Sequence, residues 1–238
     1  MVEFWQNQMD ELIDVLGFEN EPVAITFTNQ AVEMGASRRV RLCQAMQSSA
    51  EGESFIIDKE TSTCMGGSWH CGFVEHPSGR SHRTLQHFLT KGEKLTHSVI
   101  SFHRMQALAA PPPFDVADFM LMSPMQSAPV MPDLVLFLAT AEQTCRLLGL
   151  DSFWDGISPI VEVSGSLCHS AIAYPAVTGR TNISFGDWTA RRHEKYGPGV
   201  VFVTIPYERI HNLVAAVPEC SAGTAPFEVS PEMRHFME

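Results

Sequence analysis

No stretch of the 238-residue chain is apolar for long enough to cross a bilayer. Its longest runs, such as Leu134-Val-Leu-Phe-Leu-Ala139, fall far short of the roughly 20 residues a membrane helix needs. The opening Met1-Val-Glu-Phe-Trp-Gln has no basic region followed by an apolar one, so no leader is expected and the chain reads as soluble and cytoplasmic. Positive charge is scarce: 16 Lys plus Arg stand against 27 Asp plus Glu, a net charge of −11. Such a field repels phosphate backbones and anionic lipid, which excludes a general nucleic-acid or membrane-surface role. Also missing are a Gly-x-Gly-x-x-Gly turn between strand and helix, a Gly-Lys-Ser phosphate loop, His-Glu-x-x-His, a Gly-x-Ser-x-Gly elbow and Cys-x-x-Cys-His. Dinucleotide, nucleotide, zinc-protease, serine-hydrolase and covalent-haem chemistry therefore have no motif to rest on.

What is present is globular. Hydrophobic residues make up 45% of the chain and charged residues 18%, enough apolar surface for a real core. Trp5, Met9, Leu12, Ile13 and Leu16 form one apolar helical stripe, and Gly17 stands where a left-handed cap would end it. Val23, Ile25 and Phe27 alternate with Ala24, Thr26 and Thr28, the period of a strand. A helix is predicted over Arg38 to Ser49, with Cys43 between Val40 and Met46 on its inward face. Helices around Ser81 to Leu89 and Thr96 to Ala109 precede Pro111-Pro-Pro113, which divides the chain into halves 1–110 and 114–238 of one compact domain. Beyond it come Phe119-Met-Leu-Met122, Asp133 to Leu138, a helix from Ala141 to Leu148, Asn182 to Phe185, Val200 to Ile205 and a helix from Tyr207 to Val217. These two runs share a strand, loop, strand, helix order and suggest a degenerate internal duplication. The fold class expected is α/β, with α+β as the alternative, built on a mixed sheet flanked by helices.

Six cysteines in a chain with core enough to do without staples are expected as metal ligands, reactive thiols or small buried hydrophobes rather than disulfides. Cys64 and Cys71 flank Met-Gly-Gly-Ser-Trp-His in an aperiodic, glycine-rich loop from Thr61 to Gly79. Their spacing fits neither zinc ribbons nor ferredoxins, and a tight turn with two incidental thiols is the bland reading. Gly66 and Gly67 could nevertheless turn N–H groups toward a sulfur-rich anionic centre, with Trp69 shaping its surroundings. Cys168 lies in the first turns of a helix entered through Ser164 or Ser166, where the helix end favours the thiolate. His169 diverges from it by about 100 degrees and is read as solvated or hydrogen-bonded. Cys145 reads as a core or near-core residue, and Cys220 as part of an exposed tail.

Elsewhere the signals are thinner. Gly186-Asp187-Trp-Thr-Ala-Arg191 could place an acid and the fork of Arg191 beside a bound anion, although a solvated loop with ion pairs is simpler. His76, His82, His87, His97 and His103 crowd one region without a ligand pattern and are read as surface residues. Met120, Met122, Met125 and Met131 are read as irregular core.

Leu16-Gly-Phe, Glu21-Pro-Val-Ala-Ile25, Arg41-Leu-Cys43-Gln-Ala45, Cys64-Met-Gly-Gly67 with Gly72-Phe73, Pro132-Asp-Leu-Val-Leu-Phe137 and Phe202-Val-Thr-Ile-Pro206, in this order, resemble the domain of unknown function 169 family. These are cysteine-bearing proteins of archaea and bacteria, many of them anaerobes. The resemblance implies that Cys43, Cys64 and Cys168, separated by 21 and 104 residues, meet in the fold as a metal or cluster site. Where the family pattern leads one to expect Gly-Cys-x-Gly-Ala-Arg, this chain has Asp187 in place of the cysteine. Either Cys71 substitutes, Asp187 ligates through oxygen, or one metal position stays open for an exogenous ligand, which would favour chemistry over plain electron transfer.

The expectation is thus a metal-cofactor protein. A four-iron four-sulfur cluster is held by Cys43, Cys64 and Cys168 with Cys71 or Asp187, and Gly66, Gly67, Trp69 and Arg191 surround it. A redox partner or small-molecule ligand is implied, and a homo-oligomer stays open. The alternatives are haem or another tetrapyrrole on His70, His169 or Cys168, a metal-free enzyme with Cys64 or Cys168 as nucleophile, and a structural zinc domain. Whether the protein is catalytic stays open as well.

Overall fold

The computed structural model describes residues 2–30, 32, 34, 38–108, 117–159, 161–163 and 166–223, excluding the side chains of 2–8 and 108. The Pro111–Pro113 connector, Ser164 and the side chain of Trp5 lie outside the described residues. In chain order the elements are α1 (Val2–Leu16), β1 (Val23–Thr28), α2 (Leu42–Ala50), β2 (Phe55–Ile57), α3 (Met65–His70), α4 (Gly79–His87) and α5 (Val99–Leu108). Then follow β3 (Phe119–Pro124), β4 (Leu134–Ala139), α6 (Ala141–Asp151), α7 (Tyr174–Thr178), β5 (Asn182–Ser184), α8 (Trp188–Glu194), β6 (Val201–Pro206) and α9 (Tyr207–Ala216). Turns of π-helix at Phe88–Gly92 and His169–Ala173 follow α4 and lead into α7. No helix among the described residues is long and apolar enough to cross a membrane.

Helices and strands mix as expected of an α/β fold, but the sheet is not mixed. Its six strands run in the order β2-β3-β1-β4-β6-β5, and every ladder is antiparallel. A single parallel bridge, Val40 with Ser62, lies outside the strands. The sequence misleads here for a physical reason. Both faces of the sheet are covered, so Leu134-Val-Leu-Phe-Leu-Ala139 is a continuous apolar run whichever way its neighbours point. Alternate residues divide between two cores. Ala24, Val135, Phe137, Val203 and Ile205 face α1, α6 and α9. Val23, Ile25, Leu134, Leu136, Met120, Met122 and Phe202 face the layer that contains α2 and the turn beginning at Cys168.

The sheet is duplicated, in a different frame from the one the sequence suggests. Strands β1, β2 and β3 match β4, β5 and β6 in length and in register. Val23 pairs with Pro124 as Leu134 pairs with Pro206, and Phe55 pairs with Met122 as Asn182 pairs with Thr204. The central pair is self-complementary, Val23 opposite Leu136 and Ile25 opposite Leu134. The strand ends repeat too: Met125 N–H donates to Pro22 O at 2.8 Å, and Tyr207 N–H to Asp133 O at 2.9 Å. A pseudo-two-fold axis therefore runs between β1 and β4. The expected pairing of Phe119–Leu148 with Asn182–Val217 fails because β3 lies between β1 and β2, whereas β5 is an edge strand.

Local chemistry explains the element ends. Gly17 is left-handed at φ +66° and closes α1, whose Met9, Leu12 and Leu16 are buried. Thr140 and Gln143 cap α6 reciprocally. The helix expected from Arg38 starts only at Leu42, and the glycine-rich loop contains the short helix α3.

Candidate metal centre

The thiols of the three singled-out cysteines reach one cavity, each from a helix start. Cys43 is the second residue of α2 and is buried. Cys64 caps α3, its Sγ accepting the Gly67 N–H at 3.5 Å. Cys168 stands just ahead of the π turn, where the Ser166 hydroxyl accepts the His169 N–H at 3.3 Å, as expected of a helix entered through Ser166. The π turn frees carbonyls that neighbouring strands satisfy: Asn182 Nδ2 donates to Ser170 O at 2.6 Å, and Thr204 Oγ1 to Ala171 O at 2.7 Å. Strands β5 and β6 thus hold the backbone that carries Cys168.

Asp187 reaches the same cavity as the cap of α8. Its Oδ1 accepts the Ala190 N–H at 2.8 Å and its Oδ2 the Leu167 N–H at 2.8 Å. The cavity has a volume of about 170 Å³, and several of its lining residues fall into pairs under the pseudo-two-fold axis. Cys43 matches Cys168, each following a leucine at the start of a helix that precedes an edge strand. Cys64 matches Asp187, each capping the short helix that follows an edge strand and accepting the N–H three residues on. Counting from those caps, Gly66 matches Thr189, Gly67 matches Ala190, and His70 matches His193. Cys71 then corresponds to Glu194, not to Asp187. Its thiol is buried in the core beyond Cys64 and does not line the cavity.

The electrostatics oppose free thiolates. Burial, with Glu194, Cys64 and Asp187 adding to it, pushes the Cys43 thiol up to about 12. Burial, with Cys43, Cys64, Cys71 and Asp187 adding to it, raises Cys168 well above its ordinary value. Burial also raises the Cys71 thiol. Glu194, which sequence reasoning missed, accepts from Arg41 Nε at 2.8 Å and lies 3.6 Å from the Cys43 sulfur. No local pattern announces it, since it reaches Cys43 across 151 residues.

Other expected residues divide. Gly66, Gly67 and Trp69 line the cavity, and Gly67 is a cradle: a Cβ there would stand 3.0 Å from Leu42 Cδ1 and 3.4 Å from the Cys168 sulfur. Arg191 turns away. Its guanidinium donates to the carbonyls of Phe185, Gly197, Pro198 and Val200 and is spent on the loop before β6. His169 is fully buried rather than solvated. His70 is also buried and lines the cavity, with its Nδ1 lacking a hydrogen-bond partner among the described residues. Cys145 is exposed instead of near-core, and Cys220 is buried against Gly149 instead of in an exposed tail.

Among the described residues, no three His, Cys, Asp or Glu side chains converge closely enough to hold a single ion. The donor set suits a polynuclear centre, whose ligands each bond a different metal atom and so stand around a larger body. Three soft thiol sulfurs, one carboxylate, the Gly67 N–H on Cys64 and a cradle at Gly67 fit such a group.

No curated protein and no solved structure matches the chain significantly. A family model does, over residues 11–216, from Glu11 within α1 to Ala216 at the end of α9, and it is described as an uncharacterised ArCR family. By that match the chain belongs to the domain of unknown function 169 family, DUF169.

Proposed function

We propose that the protein holds an iron–sulfur centre, of the four-iron four-sulfur type, through Cys43, Cys64 and Cys168, with Asp187 at the fourth position, and that it serves redox or small-molecule chemistry. The observation that carries this reading is the convergence of these four groups, from segments far apart in sequence, as two symmetry-related pairs on one apolar cavity. Holding Cys43 and Cys168 as thiolates in this buried setting is unfavourable unless a cationic centre compensates them. Burial works against Cys168 as a metal-free nucleophile, because its raised pKa depletes the thiolate that would attack. When bound, the cluster would supply one-electron chemistry or a Lewis-acidic iron. The chain's own residues would hold it in an apolar pocket, and the Gly67 N–H donates to the Cys64 sulfur.

Anaerobic purification followed by ultraviolet-visible absorption and iron and sulfide analysis tests the reading. A brown protein with iron and sulfide in about equal amounts is expected. Serine in place of Cys43, Cys64 or Cys168 should lower the iron content several-fold, whereas Cys71→Ser should keep it. Metal retained in all three cavity variants overturns the assignment. One colourless zinc per chain, or a Soret band, would replace it with a structural zinc or tetrapyrrole reading.

A further inference from the structure

The pseudo-two-fold symmetry of the cavity is broken in two places. The first is chemical: three corners carry sulfur and the fourth carries the Asp187 carboxylate. Oxygen is the poorer match for soft iron–sulfur metal, and both oxygens of Asp187 already accept backbone N–H groups, from Ala190 and Leu167. Its bond to a metal would be the weakest of the four. The second break is an insertion. Between α3 and β3 the chain adds α4, a π turn and α5, whereas α8 alone lies between β5 and β6. The insertion walls the cavity with Leu85, Phe88, Leu89, Leu95 and Met105. It is latched to the helix that Asp187 caps: Glu93 accepts from Arg192 Nη2 at 2.6 Å and from the Thr189 hydroxyl at 3.3 Å.

Two polar atoms on this cavity have no hydrogen-bond partner among the described residues. They are Nδ1 of His70, a residue only 5% exposed, and Oε1 of Gln106 on the insertion. A buried imidazole nitrogen left unpaired in an apolar chamber costs free energy unless a ligand meets it. Phe88 and Leu95, each partly exposed, stand at the rim where such a ligand would pass.

We infer that Asp187 marks an exchangeable corner of the centre, and that the insertion forms beside it a binding site for a small neutral molecule with a metal-binding head and an apolar body. This rests on the iron–sulfur reading above. The head takes the place of the carboxylate at the metal, the body lies against Leu85, Leu89 and Met105, and His70 and Gln106 meet its polar atoms.

Alkyl isocyanides of increasing chain length, added anaerobically to the iron-loaded protein, are the probes, and the shift in the electron paramagnetic resonance and visible spectra is the readout. Saturable shifts are expected, with affinity rising about fourfold per added methylene, the fold-change that corresponds to about 0.8 kcal/mol of buried CH₂. Asp187→Cys, which supplies a fourth thiolate, should retain iron and sulfide but lose the shift. Leu89→Asn should keep the shift for the shortest probe and lose the chain-length dependence. Loaded protein with no shift, or affinities independent of chain length, overturns this inference and leaves the iron–sulfur reading standing. Protein that takes up no iron and sulfide overturns both. The chain-length series uses the unmodified protein and does not depend on any variant folding.

Discussion

His70 shows how a single side chain couples burial to pH. Burial, with His169 and His76 adding to it, pulls its pKa down from 6.5 to about 3, so the folded protein carries it neutral. The unfolded chain regains the ordinary affinity for a proton. Between about pH 6.5 and 3 the unfolded state therefore binds more protons, and stability falls as the pH falls through that window. Above pH 6.5 the group has no such effect. His70→Gln, neutral at all pH values, should flatten the dependence of urea-unfolding free energy on pH by up to about 1.4 kcal/mol per unit within the window. An unchanged slope would mean that His70 is charged in the folded protein. At this scale the sequence was informative about which thiols share a cavity and less so about their surroundings. Cys43 faces inward as its helical spacing predicted, and His169, expected as solvated or hydrogen-bonded, is not solvated but fully enclosed.

At the scale of elements, the cavity depends on short helices that start with a chosen side chain. Gly186 aims one of them. It is left-handed at φ +70°, and a Cβ there would come within 3.0 Å of Phe202 Cε2. Gly186→Ala combines backbone strain with overpacking and should cost about 2 kcal/mol in denaturant unfolding. Gly66 is the control, a helical glycine whose added Cβ meets nothing within 4 Å. Gly66→Ala should be neutral or gain up to about 1 kcal/mol from helix propensity. Equal losses for the two would remove the argument that Gly186 is required by its conformation. The long elements were legible because their apolar periods and stops are local. Helix α3 was not, since six residues containing two glycines have little intrinsic preference and form a helix only against their surroundings.

For the whole molecule, the layer on the far side of the sheet from the cavity is held together by more than apolar contact. Arg209 on α9 donates to Asp151 Oδ1 at 2.8 Å at the end of α6, and the Asp151 side chain is 2% exposed. Side-chain hydrogen bonding to Asp151 raises the Arg209 pKa. Removing the arginine leaves the buried Asp151 carboxylate without its charge partner, so Arg209→Ala should lose about 3 kcal/mol of unfolding free energy. Because this pair is remote from the cavity, iron content per folded chain should stay constant. A loss of metal at unchanged stability would show that the two layers are not independent.

The sequence by itself determined what depends on neighbours along the chain. It set every strand of the sheet but β2 from alternation or apolar runs, the end of α1 at Gly17, the acidic charge balance and the candidate donors Cys43, Cys64, Cys168 and Asp187. Only the tertiary structure decided the antiparallel direction of the sheet, because residues buried on two faces carry no record of their partner's direction. It also decided the frame of the duplication, which resides in strand pairing and not in element order. Which of Cys71 and Asp187 reaches the cavity belongs there as well. Both stand near cysteines in sequence or pattern, but the two-fold relation of α3 to α8 places Asp187 opposite Cys64 on the cavity and leaves Cys71 in the core. That relation exists only once strands distant in sequence have paired.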